Sequence, residues 1–392
     1  MLVVWNQAPL LIVRKRMKAG TTIFLVVMLT ALVLSASAQN NRKATLRGVV
    51  IDDSTRAPIC GANVFLANST IGASTDSGGM YLMNNVPPGI YDIVGSCIGY
   101  KPRTSRIDVH PSTSTTFDIQ LRPADLSMGV VEVTAQRSEE WQDNLKVFTA
   151  HFLGTTPSAS RCRIINPEVI HFSTGMFGQL QASANQEIVL DNPALGFLLH
   201  VILETFSTDG RSVTVEYKTR FEDRSAAHPE GEAEWMENRD DAYFGSVRHF
   251  LKSLINDELS SEGYTMFALE TLSDLSKTSP RIEQKRGDVV RAASANNWSV
   301  GFPRYLVVTY DRKQVDVEPG QFYGSLDSFK DRSMEQRKSR PQMGILVLTK
   351  GSLVVDTQGR VLDRLGYRVL GDWDADGLAN ELPLDFQPKT RR

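Results

Sequence analysis

The chain has 392 residues, of which 41% are hydrophobic, and its net charge is −2. This length accommodates two or three domains, and this apolar fraction supports ordinary packed cores, which excludes a disordered chain. With 43 Lys and Arg against 45 Asp and Glu, the chain has no basic surplus to neutralise phosphates, so we expect no nucleic-acid partner.

The first 38 residues have the pattern of a secretory signal peptide. Met17-Lys18 begins it, an apolar run over 23–34 follows, and Ala36-Ser37-Ala38 supplies the small residues of a cleavage site. The apolar run is shorter than the ~20 residues of a membrane-spanning helix. We therefore predict an upstream extension at 1–16, cleavage after Ala38, export, and no transmembrane domain in the mature chain.

Short segments of alternating apolar character follow, separated by turn clusters such as Asp76-Ser77-Gly78-Gly79 and Pro87-Pro88-Gly89. Gly and Pro in such clusters supply the backbone angles that reverse the chain. This pattern predicts an antiparallel β-sandwich over residues 42–123. The predicted strands are 46–51, 62–66, 80–82, 91–98, 106–109 and 117–121.

Four motifs in this region are GVVIDDSTRAPICGANVFL, STDSGGMYL, NVPPGIYDI and CIGY. In their order and spacing they resemble the carboxypeptidase-regulatory-like module of exported bacterial proteins. The resemblance implies a transthyretin-like β-sandwich that serves as a scaffold and carries no catalytic residues. Cys60 and Cys97 lie within the module, and the residues allow either one bridge between them or free thiols, with Cys162 as the third cysteine.

Residues 124–138 are predicted to be a linker, and residues 139–392 a second domain. The second region resembles an uncharacterised C-terminal domain of exported proteins that begin with the same module. The matching pieces are FLGTTPSASRCRIINPEVIHF, LDNPALGF, ENRDDAYFGSVRHFL and LPLDFQP. Apolar patterns predict a β-rich α+β domain with one main helix at 234–254 and strands at 187–190, 196–206, 212–221, 304–310, 344–348 and 352–356.

Catalytic motifs are missing from the sequence. A zinc carboxypeptidase needs an HxxE pattern and a further His, and related proteases use HExxH. None of the six histidines has either pattern; His200 precedes Glu204 by four residues, but within an apolar strand. There is also no G-x-S-x-G elbow and no P-loop. We therefore predict that the protein is not an enzyme.

Polar residues on the predicted helix are the candidate binding site. Arg239 and His249 are suited to anion recognition, Tyr243 to stacking, and Asn238 lies beside them. The alternative is that local carbonyls and acids satisfy these groups while the apolar stripe of the helix packs on the sheet.

A calcium site is the only cofactor that the sequence suggests. Asp372, Asp374 and Asp376, with Gly377 next, match the opening of an EF-hand-type loop. Pro383 stands where the closing Glu belongs. The ligand set is therefore incomplete, and the alternative is a surface turn rich in acids.

These observations predict a non-catalytic binding or structural component of the bacterial cell envelope, located in the periplasm or associated with the outer membrane. Its partner would be an unidentified envelope protein or a glycan. The alternatives are a glycan-binding protein or an unrecognised hydrolase of peptide or glycan in the distal domain. Tyr81, Tyr91 and Tyr100 are the candidate sugar-stacking residues, although they fall at strand positions where burial is commoner.

Overall fold

The computed structural model describes residues 43–124, 138–210, 212–272, 283–294, 296–316 and 339–389. The fold is mainly β, with about 47% strand and 22% helix, as the sequence predicts. No helix in these ranges is long and apolar enough to cross a membrane. The predicted signal peptide, 1–38, and nearly all of the predicted linker lie outside the described residues.

The N-terminal domain is the predicted β-sandwich. One sheet has the order β4-β1-β9-β6 with β8 paired to β1, and the other has the order β3-β2-β5-β7. Leu46, Val64 and Ile93 are among the fully buried residues of the core between them. The strands are β1 (Ala44–Asp52), β2 (Asn63–Leu66), β3 (Gly72–Ser74), β4 (Met80–Val86), β5 (Gly89–Ser96), β6 (Tyr100–Lys101), β7 (Arg103–Val109), β8 (Ser114–Thr116) and β9 (Ile119–Pro123).

The distal domain contains a six-stranded, a four-stranded and a three-stranded sheet. Their orders are β10-β13-β14-β12-β11 with β15 on β14, β16-β19-β20-β22, and β17-β18-β21. One hydrophobic core joins them, and it includes Phe148, Phe250 and Trp373. The strands are β10 (Arg163–Ile164), β11 (Ile170–Thr174), β12 (Leu180–Ala184), β13 (Ile188–Asn192), β14 (Phe197–Thr208), β15 (Val213–Asp223), β16 (Tyr264–Leu269), β17 (Val290–Ser294), β18 (Asn297–Val300), β19 (Tyr305–Asp316), β20 (Ser339–Leu348), β21 (Leu353–Asp356) and β22 (Tyr367–Gly371).

The prediction of one main helix at 234–254 is wrong. Gly245 has a φ of +90°, and Ser246 caps a new helix by accepting a hydrogen bond from the His249 N–H. A side chain at position 245 would collide with Gln342. The helices are α1 (Glu139–Leu153), α2 (Pro157–Arg161), α3 (Glu232–Tyr243), α4 (Val247–Ile255), α5 (Leu259–Glu262) and α6 (Arg286–Val289).

The outer face of the β3-β2-β5-β7 sheet packs on the distal domain. Phe65 and Val94 are fully buried there, and Ile202 of β14 packs against them. The second sandwich sheet therefore lies between the first and the six-stranded sheet. At one side, the Asn68 N–H donates to Thr219 O at 2.6 Å and the Leu384 N–H donates to Asn68 O at 2.7 Å. Both β15 and the C-terminal segment thus hold the β2–β3 turn.

Candidate functional site

The polar residues predicted on α3 bind the loop between β13 and β14. Asn238 donates to Ala194 O at 2.8 Å, and the Arg239 Nε donates to Leu195 O at 2.7 Å. Trp235, one turn earlier, donates to Pro193 O at 3.0 Å. Asn238 and Arg239 belong to the motif ENRDDAYFGSVRHFL, and Trp235 lies two residues before it. The three acceptors all belong to the motif LDNPALGF. Two of the family-like motifs therefore fold against each other.

Arg239 also forms an ion pair. Its two Nη atoms donate to the carboxylate of Asp223 at 2.9 and 3.0 Å, and its guanidinium lies 3.9 Å from the centroid of the Phe197 ring. Burial raises the pKa of Asp223, but the hydrogen bonds from Arg239 and Ser225 outweigh it and hold this pKa below its ordinary value. Arg239 is 5% exposed, so its donors serve the fold.

Tyr243 and His249 lie in the same core. The Gly245 N–H donates to His249 Nδ1 at 3.2 Å, and the Tyr264 hydroxyl lies 2.7 Å from the same atom. His249 Nε2 is 3.3 Å from Glu262. Both Tyr243 and His249 are 4% exposed. The prediction that Arg239 and His249 are available to a ligand is therefore wrong, because both are buried and groups from other parts of the fold already satisfy them.

Arg248, which the sequence analysis did not select, holds the C-terminal segment. Its Nη1 donates to Pro383 O at 2.8 Å and its Nη2 to Leu384 O at 2.7 Å. Leu384 in turn packs on the sandwich core. The sequence did offer a signal for this residue: Arg248 lies in the family-like motif ENRDDAYFGSVRHFL, and the segment that it binds is another such motif, LPLDFQP.

The candidate calcium residues do not converge on one point. Asp372 accepts hydrogen bonds from Arg340 at 2.8 and 2.7 Å and from the Met343 N–H at 2.7 Å. Asp374 and Asp376 are exposed. Within the described residues, no group of three or more His, Cys, Asp or Glu side chains is placed to hold a metal ion.

A groove between the two domains is the candidate functional site. Its volume is about 460 Å³. The sandwich contributes strands β2 and β3, and the distal domain contributes the end of β15. The lining residues are Asn63, Val64, Thr70, Gly72, Ala73, Ser74, Arg220, Phe221, Glu222 and Asp223.

Strand β3 presents an open backbone edge beside this groove. Thr75 donates to Ala62 O in the ladder with β2. Because bonded and non-bonded pairs alternate along an antiparallel ladder, the backbone groups of Gly72 and Ser74 point away from β2. β3 ends its sheet, so these groups face the open edge.

Charged side chains gather around Arg220 and Glu222, two of the residues that line the groove. His200 lies between two carboxylates, with Nδ1 3.5 Å from Glu187 and Nε2 3.5 Å from Glu222. Arg220 pairs with His200 in the β14–β15 register, and its buried Nε has no hydrogen-bond partner among the described residues. His200 Nε2 is the other buried nitrogen of this cluster without a hydrogen-bond partner among the described residues. Glu204, four residues after His200 in the sequence, does not pair with it and lies 3.8 Å from Lys218.

Glu187 joins the two domains at this point. It accepts a hydrogen bond from Ser96 of the sandwich at 2.9 Å. Burial raises the pKa of Glu187, but the hydrogen bonds from His200 and Ser96 and the charge of Arg220 together bring it below its ordinary value. An ionised Glu187 therefore stabilises the junction.

The candidate tyrosines, the cysteines and a second pocket lie outside this groove. Tyr81 and Tyr91 are 3% and 8% exposed, and the Tyr100 hydroxyl donates to Asp52 at 2.9 Å. The cysteines are free thiols, and burial raises the pKa of Cys162 to about 12. A second pocket, of about 450 Å³ between α1 and α2, is lined mainly by aliphatic and hydroxyl side chains.

Residues 46–133 match the family model of the CarboxypepD_reg-like domain, and the rest of the chain matches no family model. The N-terminal sandwich is therefore a carboxypeptidase-regulatory-like domain, as the motifs predict. No curated protein matches the chain.

Several solved structures are similar to part of the chain. A type II cohesin–X-dockerin complex from Acetivibrio cellulolyticus has a TM-score of 0.20 and 23% identity, covering 30% of this chain and 79% of that one. The pilus 2b backbone protein of group B streptococcus has a TM-score of 0.19 and 16% identity, covering 21% and 42%. Catechol 1,2-dioxygenase from Acinetobacter sp. ADP1 has a TM-score of 0.19 and 12% identity, covering 22% and 54%. These similarities do not extend to function.

Proposed function

We propose that this protein is a non-catalytic binding component of the bacterial cell envelope, and that the groove between its domains receives an extended segment of another envelope protein. The open edge of β3 carries the proposal. Gly72 and Ser74 offer backbone groups there, and an added strand is the partner that such an edge accepts. The secretory signal predicted at 17–38 supports the envelope location.

The side chains of the groove support a peptide ligand. Arg220 Nε is buried without an acceptor among the described residues, and an unsatisfied buried donor costs about 1–3 kcal/mol. The Arg220 side chain would recover this energy by turning toward a carbonyl or carboxylate of a ligand in the groove. The Glu222 side chain is 54% exposed and is available to a basic or hydroxyl group. Alternate side chains of an added strand would face these two residues.

Two observations favour peptide binding over the alternatives. The Ser96 hydroxyl donates to Glu187 rather than to His200, which is not the order in which a His activates a nucleophile. Tyr81 and Tyr91, two of the three candidate sugar-stacking residues, are buried, and flat aromatic surfaces are what sugar rings usually pack on.

The test is selection of a phage-displayed random peptide library on the chain that starts at Gln39, which keeps every described residue. Ser74→Pro removes the outward N–H, Ser74→Ala is its control because it removes only the hydroxyl that donates to Asn63, and Arg220→Ala removes the unsatisfied donor. Ser74→Pro and Arg220→Ala should lower the affinity of the enriched peptides, while Ser74→Ala should not. Nor should Arg122→Ala, which removes an 81% exposed arginine that does not line the groove.

Circular dichroism and the melting temperature establish that each variant is folded. No enrichment on the wild type, or peptides that bind the folded Ser74→Pro and Arg220→Ala variants as well as the wild type, would show that the groove is not the binding site. Turnover of the peptides by the wild type would defeat the non-catalytic proposal.

A further inference from the structure

The hairpin of β11 and β12 presents two large apolar side chains at its tip. Met176 is 90% exposed and Phe177 is 89% exposed. The turn itself is ordered: the Gly175 N–H donates to Gln179 O at 2.8 Å, and the Gly178 N–H donates to Gly175 O at 3.0 Å. The Phe177 N–H donates to the Gln179 side chain at 3.0 Å. The fold therefore holds both side chains outward in a fixed turn.

The arms of the hairpin carry no Asp, Glu, Lys or Arg, and His171 in β11 is their one titratable side chain. From Phe172 to Gln186 the sequence contains no Asp, Glu, Lys or Arg, in a chain that is 22% charged. The arms pair from Ile170↔Ala184 to Thr174↔Leu180, and their exposed residues are small or amide-bearing. No charged side chain on this hairpin would lose its hydration if the tip entered an apolar phase.

We propose that the Met176–Phe177 tip inserts into the surface of a lipid bilayer. A protein partner is the poorer fit, because a stable protein interface buries about 800 Å² on each side, and an aromatic side chain supplies only about 150–250 Å². A convex apolar tip needs no complementary pocket in lipid. None of the hairpin residues lines the groove, so this site is independent of the proposed function.

The insertion is shallow and reversible. Even a myristoyl chain, which is longer than these two side chains together, gives an association constant of only about 10⁴ M⁻¹. The tip thus binds lipid weakly, and the binding is measurable at millimolar lipid. Since the hairpin is uncharged, its binding to neutral lipid is insensitive to salt.

The experiment is flotation of the chain that starts at Gln39 with phosphatidylcholine vesicles, at low and at high salt. We expect the wild type to float at both salt concentrations. Met176→Ser or Phe177→Ser should each weaken binding about tenfold or more, because burying one such side chain corresponds to at least that factor. Ile98→Ser is the matched control: Ile98 is 95% exposed but lies on the sandwich, and its loss should leave flotation unchanged.

All three positions are on the surface, so the variants should melt like the wild type. Failure of the wild type to float would overturn the proposal. This is also the result expected if the tip docks into a pocket of another protein instead of lipid. Equal flotation of the Met176→Ser, Phe177→Ser double variant, or binding that high salt abolishes, would also overturn it.

Discussion

Replacement of Arg239 by Ala should destabilise the distal domain by about 3–4 kcal/mol. The change removes donors at 2.7 Å from Leu195 O and at 2.9 and 3.0 Å from Asp223. Breaking a buried ion pair costs about 3–5 kcal/mol. The Asp223 side chain is 39% exposed, and the water that reaches it places the expected cost in the lower half of that range.

Differential scanning calorimetry measures the effect. At ~2–4 °C per kcal/mol for a domain of this size, Arg239→Ala should melt about 6–16 °C below the wild type. Arg239→Lys should lie between them, because an ammonium keeps the charge but loses the planar fork. Arg161→Ala breaks the Arg161–Glu234 pair, whose side chains are 50% and 63% exposed, and should cost less than about 1 kcal/mol. Equal melting of Arg239→Ala and Arg161→Ala would refute the structural role of Arg239.

Three further predictions concern pH, processing and calcium. Because the folded pKa of Glu187 is lowered from 4.5, its contribution to stability is present above pH 4.5 and is lost as the pH falls through the folded pKa. Glu187→Gln should therefore melt below the wild type at neutral pH but not in acid, and an equal deficit at both pH values would contradict this. The mature chain should begin at Gln39 by intact-mass measurement on protein from the envelope; retention of 17–38 would disprove cleavage. Millimolar calcium should leave the melting temperature unchanged, because the Asp372 carboxylate is already hydrogen-bonded to Arg340. A rise in the melting temperature that Asp374→Ala abolishes would instead demonstrate a calcium site.

The alternation and turns of the sandwich were sufficient to predict its long strands, since both are local properties of the chain. β1 alternates more and less buried residues over 9 residues, and β5 is an apolar run of 8 residues that is buried on both faces. β3 has only three residues, which is too few for a pattern, and yet its edge lines the candidate site. Likewise, the apolar pattern of 234–254 continues past Gly245, and only the structure shows the break there: Gly245 has a φ of +90°, and Gln342 leaves no room for a side chain at this position.

By itself, the sequence determined the class of fold, the N-terminal module and the absence of known catalytic motifs, because these depend on composition, period and spacing along the chain; the secretory signal remains a prediction. Only the tertiary structure decided what the polar residues do. Arg239 reaches a carbonyl 44 residues away, and Arg248 reaches one 136 residues away. A polar residue at the edge of an apolar stripe has the same local pattern whether it meets a ligand or a distant carbonyl. The fold brings Arg220 to the groove and buries Arg239, and no local signal separates the two.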